Sequence, residues 1–451
     1  MRSRFPLWLA LMLLVPVVVM GLGVWFLVVV VQRSSEYAKV ARTLPAELAA
    51  ARQEGLPLTP ADLRPNPPVP DSQNAAPIYV QIDQKFRSLP KAEESEDKNV
   101  MEFITKPKSP NDLDAAKRIL ARRAPDLVLV ERASRLAHSD FKRHMEQGPN
   151  LTLPEYASCR QLARLLSARA LLASREGRPI AALNDIATGA RMGRHLDEEP
   201  ILISMLVAVA VRAIMDKTFL EIVIAHGNEP GVLDAAARTA REFRPTPDIE
   251  RAFRGEVIMC QVCVDMLRNG SDLGELEQLF GRKPLSGAGP PRRQACDAWQ
   301  ARMMSYWRRN FVAMRRHRGD TIATYRALKQ IGDEEEANDK KPTYELSALL
   351  MPVFSQAELK VAICEEQARL RDTLIDVVSY RKRTGSYPMS LANLGRAVAP
   401  DIFTGKPPIY RKAAKGFILY SVGQDFKDDG GKAKGPDGKG MPDIVVQDPI
   451  R

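Results

Sequence analysis

The residues that enzymes usually borrow for chemistry are thin along this chain. Five cysteines (Cys159, Cys260, Cys263, Cys296 and Cys364) are too few for a disulfide framework in 451 residues, and an odd number leaves one unpaired within a monomer. Cys260 and Cys263 make a C-x-x-C, but it sits among Val257, Ile258, Val264 and Leu267 with no second pair at zinc spacing. Buried core thiols are therefore expected. The five histidines are scattered, no pair has the His-Glu-x-x-His spacing, and no serine stands in a Gly-x-Ser-x-Gly turn. His195, between Arg194 and Asp197, reads as a residue at a helix end, where imidazolium favours the dipole. No catalytic residue is nominated. Aromatic residues are only 6% of the chain, whereas Leu, Ala and Arg abound, a balance that points to helices packed on helices.

Charge is missing from Phe5 to Val31. As a helix this run would extend about 40 Å, more than the roughly 30 Å of a bilayer's hydrocarbon core. Trp8 and Trp25 lie near its ends, and no small-x-small cleavage site follows it. The run predicts an uncleaved transmembrane anchor, bound to membrane lipid through residues 5–31, with the bulk of the chain on the extracytoplasmic side of the cell membrane. The charge that is present sums to +11. On an exported body this suits anionic lipid heads, wall polymers or acidic proteins more than nucleic acid.

Beyond the anchor (1–33), residues 34–75 read as a juxtamembrane helix broken near Pro45 and a stiff proline-rich spacer from Pro57 to Pro77. Residues 76–330 read as an α-helical domain. Ser109-Pro110-Asn111-Asp112 is a strong helix start, and Gly177 and Pro179 end one helix and open the next. Ile201–Val211 is apolar on every side and predicts a fully surrounded central helix. In Arg292–Arg318, Trp299, Met303, Trp307, Phe311 and Met314 form a buried stripe, and Arg302, Arg309 and Arg316 a solvated basic edge. The charged run around Asp333-Glu334-Glu335-Glu336 marks a linker over 331–354. Ser355 and Glu358 form an apparent capping box for a further helix in the last segment, 355–451. Short strands are expected at Ile409-Tyr410, Phe417–Tyr420 and Ile444–Val446.

Four motifs in that last segment stand in order: Thr384-Gly385-Ser386-Tyr387-Pro388, Asp401-Ile402-Phe403-Thr404-Gly405-Lys406, Leu419-Tyr420-Ser421-Val422-Gly423-Gln424-Asp425, and Asp443-Ile444. Together they resemble the ectodomain of the type II secretion major pseudopilin. The resemblance covers about residues 362–446. It implies a long helix ending at Gly-x-Tyr-Pro, a small antiparallel sheet and a calcium-binding loop, with Asp425 and Asp443 matching the aspartates that begin and close it. The pseudopilin processing site beside the anchor is absent, so the resemblance implies a borrowed module and not a fibre subunit. On its own terms the loop places Asp425, Asp428, Asp429, Asp437 and Asp443 among glycines, a donor set able to hold calcium. Lys427, Lys432, Lys434 and Lys439 equally allow a neutralised acidic turn.

The expected fold class is mainly α: a transmembrane helix, a helical bundle or helical-hairpin body and a small α+β module. The expected function is a single-pass envelope protein acting as a non-enzymatic interaction or scaffold component, with a secretion or pilus-like association implied by the resemblance. The alternative is an exported enzyme, or a wall- or ligand-binding protein, whose site assembles from distant residues.

Overall fold

Prolines and glycines cut the chain into helices. The computed structural model describes residues 30–270, 292–338, 341–344, 354–432 and 443–448. In chain order the helices are α1 (30–41), α2 (Leu44–Gln53), α3 (Ala76–Arg87), α4 (Lys91–Thr105), α5 (Pro110–Ser134), α6 (Glu155–Arg175) and α7 (Pro179–Asp197). There follow α8 (Leu202–His226), α9 (Val232–Glu242), α10 (Ile249–Arg268), α11 (Arg292–Arg316), α12 (Thr321–Glu336) and α13 (Phe354–Thr384). At the start of α5, Asp112 accepts hydrogen bonds from Lys108 N, Ser109 N and Ser109 Oγ, so the cap donors are satisfied locally. Gly177 adopts φ +72° between α6 and α7, a conformation that few other residues adopt without strain.

Two large apolar cores and two small clusters result among the described residues. The first joins α3 to α9, the C-terminal half of α13 and the sheet; the second joins α1, α2, α10, α11, α12 and the N-terminal half of α13. In the second, Phe354 stacks 3.8 Å from Phe253 and meets Trp307 edge-on at 4.9 Å, ring centroid to centroid. Three strands follow α13: β1 (Ile409–Ala413), β2 (Gly416–Ser421) and β3 (Ile444–Asp448), antiparallel in the order β1-β2-β3. The register pairs Leu419 with Tyr410 and with Val446. With side chains alternating between faces, Phe417 and Leu419 turn together toward the helices. Tyr387, just past α13, packs 4.8 Å from Phe417 and donates its hydroxyl to Asp448 Oδ2 at 2.8 Å, pinning the sheet to the helix end.

The membrane reading is corrected. A transmembrane helix at 5–31 was expected, and with it a single-pass envelope protein held by lipid at the cell membrane with an extracytoplasmic body. Among the described residues no helix is long and apolar enough to cross a membrane. Residues 5–29 of that run lie outside the described ones; its last two residues begin α1, which packs on the body through Tyr37 against Trp299, centroids 6.2 Å apart. The most apolar of the described helices, α8, carries Arg212, Asp216, Lys217 and Glu221 in its own span. The architecture shown is a mostly helical fold with a small antiparallel sheet.

Other segments also differ from expectation. The stretch read as a juxtamembrane helix and spacer lies along the body: Arg308 binds Glu47 at 2.7 Å and Glu54 at 2.5 Å in α2 and just past it, and Gln261 Nε2 donates to Pro57 O at 3.3 Å. Asp333–Glu336 forms the last turn of α12, where Glu334 and Glu335 pair with Arg309 of α11. The basic edge of α11 is thus partly spent inside the fold. Glu358 lies within α13 and is buried, so it is not a capping residue. Helix α8 is not fully surrounded: Ile203 and Leu206 are exposed on one side of it.

Candidate functional site

On α8, Ala213, Asp216, Lys217 and Leu220 recur at helical spacing and share one face. On α13 the same spacing brings Ile363, Gln367 and Leu370 to one side. These faces converge with Gln424 and with Asp443 to Val446 on a cleft of about 330 Å3. That volume lies at the lower end of small-molecule sites. Its walls are mainly aliphatic, with Asp216, Lys217, Gln367, Gln424 and Asp443 as the polar groups.

Each carboxylate here is held. Asp216 is largely buried, and its Oδ1 accepts from Arg371 Nη1 at 2.5 Å. Burial raises the Asp216 carboxyl above the usual range, and Arg371 opposes that shift. Arg371 is fixed in turn, its guanidinium carbon 4.1 Å above the Phe243 ring. Asp443 Oδ2 accepts from Gly431 N at 2.7 Å and Oδ1 from Asp429 N at 3.3 Å; burial raises this carboxyl while those two N–H groups lower it. Gln424 differs: its amide oxygen is buried with no donor among the described residues. Lys217 is exposed at the rim, and burial raises the Glu221 carboxyl above its usual range while the Lys217 charge pulls it back down.

Behind Asp216 lies a second buried layer. Arg212 donates to Pro245 O at 2.8 Å and Phe243 O at 3.2 Å, closing the α9–α10 turn. Burial lowers the Arg212 guanidinium, and Asp197 counters it. Asp197 is pushed up to about 6 by burial, with Arg212 and the Asp248 N–H pulling the other way. Burial pushes the Cys364 thiol up to about 11, which suits packing and not nucleophilic attack.

Of the five aspartates expected to bind calcium, the structure brings one, Asp443, to the cleft. Asp428 Oδ1 accepts from Gly430 N at 2.8 Å and from the Tyr420 hydroxyl at 3.0 Å. Asp425 Oδ1 accepts from Lys427 N at 3.0 Å, and Asp429 contributes its backbone N–H to Asp443. Asp437 lies outside the described residues. Among the described residues no group of three His, Cys, Asp or Glu side chains is placed to hold a metal ion. His195 is not a helix-end imidazolium. Its Nε2 donates to Leu136 O at 3.0 Å, so Nδ1 accepts from the Tyr79 hydroxyl at 2.9 Å, and burial drives its pKa down to about 4. Cys260 and Cys263 are buried in α10, and burial raises both thiols.

Sequence reasoning missed Asp216, Arg371, Gln367 and Gln424. The available signal was Arg212 and Asp216 standing inside an otherwise apolar helix, since a buried charge needs a partner. Neither a protein family, a curated protein nor a solved structure matches the chain.

Proposed function

We propose that this protein binds a small organic ligand in the cleft between α8, α13 and β3. The supporting observation is convergence: polar groups from α8, α13, the turn at Gln424 and the start of β3 meet over an aliphatic floor. Fixed polar groups on apolar walls orient a bound molecule, the usual plan of a binding site. Binding fits this site better than catalysis, because its carboxylates are held by Arg371 and by backbone N–H groups instead of poised to exchange protons.

The test is thermal unfolding of the full chain against a panel of small amines, alcohols, sugars and carboxylates, with Ala213→Trp as the control that fills the rim. A ligand present at about 100 times its Kd stabilises by about 2.7 kcal/mol. At least one compound should raise the wild-type midpoint and leave Ala213→Trp unmoved. If every compound acts alike on both proteins, the reading fails.

A further inference from the structure

We infer, resting on the binding reading above, that the ligand is an amine, a small molecule that brings an ammonium or similar N–H donor group to the inner wall of the cleft. Among the polar side chains there, two carboxylates face one ammonium, while Gln367 and Gln424 each carry both a donor and an acceptor. Asp216 and Asp443 are carboxylates, and the buried amide oxygen of Gln424 has no donor among the described residues. A buried acceptor without a donor is unfavourable, so a ligand that supplies its missing donor gains where one bringing another acceptor loses. The balance of charge agrees. Arg371 is committed to Asp216 at 2.5 Å and lies over Phe243, facing a ring and not the ligand. Lys217, the one cation on the cleft wall among the described residues, is exposed at the rim, with Glu221 one turn along α8. Asp443 accepts from the neutral N–H groups of Asp429 and Gly431. The aliphatic walls from Ile363, Leu370 and Ile444 then fit the carbon chain behind the donor.

Three four-carbon probes that differ only in their end groups test this on the full chain: 1,4-diaminobutane, butane-1,4-diol and succinate. The diamine should raise the unfolding midpoint most, the diol less, and succinate not at all. Gln424→Leu, which removes the orphan acceptor, should weaken diamine affinity about tenfold by calorimetric titration, the equivalent of one lost hydrogen bond. Lys217→Met removes the rim cation and should strengthen diamine binding about threefold. This variant also guards against misfolding as an explanation, because it predicts a gain. Succinate binding as well as the diamine, or no binding by the diamine, overturns the amine assignment. Ligand binding itself then stands or falls separately on the Ala213→Trp comparison.

Discussion

At the scale of single residues, the fold is governed by a few charges taken out of water. Asp216 and Arg371 are both nearly inaccessible and stand 155 positions apart in the chain. Desolvating such a pair costs most of what their attraction returns, but removing one partner leaves an uncompensated buried charge. Arg371→Met should therefore destabilise the protein by about 3–5 kcal/mol, whereas Arg371→Met with Asp216→Leu should recover most of that loss. Urea unfolding of both single variants and the double variant checks this; an equally unstable double variant would contradict it. Gly255 gives a second case. A Cβ built there would lie 1.6 Å from Pro200 O, so α10 passes that backbone closer than any side chain permits. Gly255→Ala should cost at least about 1–3 kcal/mol by the same measurement. Neither feature was legible beforehand. Asp216 is visible in the sequence as a charge inside an apolar helix, but its partner is fixed only by the packing of α13 on α8.

Elements were more legible, because their signals are local. The cap at Ser109, the Gly177–Pro179 junction and the buried stripe of α11 from Trp299 to Met314 follow from spacing and turn chemistry alone. The strands near residues 409, 417 and 444 stand where β-rich runs are bounded by glycine and aspartate. Charged segments were harder to read. Asp333–Glu336 looked like a linker since composition does not reveal that Arg309 waits across the gap. Glu358 and Glu366 of α13 show the same limit with a consequence for pH. Glu366 is wholly buried, and its Oε2 accepts from Ile402 N at 2.8 Å, which fastens the 401–406 turn to the helix. Burial, with Asp401 and Glu365 adding repulsion, lifts its pKa to about 8, and burial together with Glu365 does the same for Glu358. Both folded-state values exceed the ordinary 4.5 of the unfolded chain. Their contribution is therefore complete below that value and is lost as pH climbs through about 8. Denaturation midpoints should fall between pH 5 and pH 9, and Glu366→Gln, which keeps the acceptor without the charge, should flatten the fall. A variant that reproduced the wild-type profile would assign the pH dependence elsewhere.

For the whole molecule, the question is whether the last hundred residues form a separate module, as the reading of the sequence expected, or part of one body. Helix α13 is the deciding element. Its first turns put Phe354, Ala357 and Val361 into the core around α10 and α11, while Leu370, Leu374, Val377 and Val378 enter the core built on α6 to α9. Helix α8 bridges the same two cores, with Met205 in one and Val211, Met215 and Phe219 in the other. Phe417, Leu419 and Val446 of the sheet close over the larger core, so the strands rest on helices from the middle of the chain. Two cores that share two long helices lose common surface if either melts alone, and they should therefore unfold together. Leu374→Ala removes packing from one core and Phe253→Ala from the other, at costs of about 2–5 and 3–5 kcal/mol. Each should lower a single midpoint, equally whether followed by far-ultraviolet circular dichroism or by the near-ultraviolet signal of the aromatic cluster around Phe354. A Leu374→Ala protein that lost its helical signal in one step, and its aromatic signal in a later one, would show that the bridging helices do not couple the cores. The cleft, which depends on α8, α13 and β3 staying in register, would then be a site between independently moving parts.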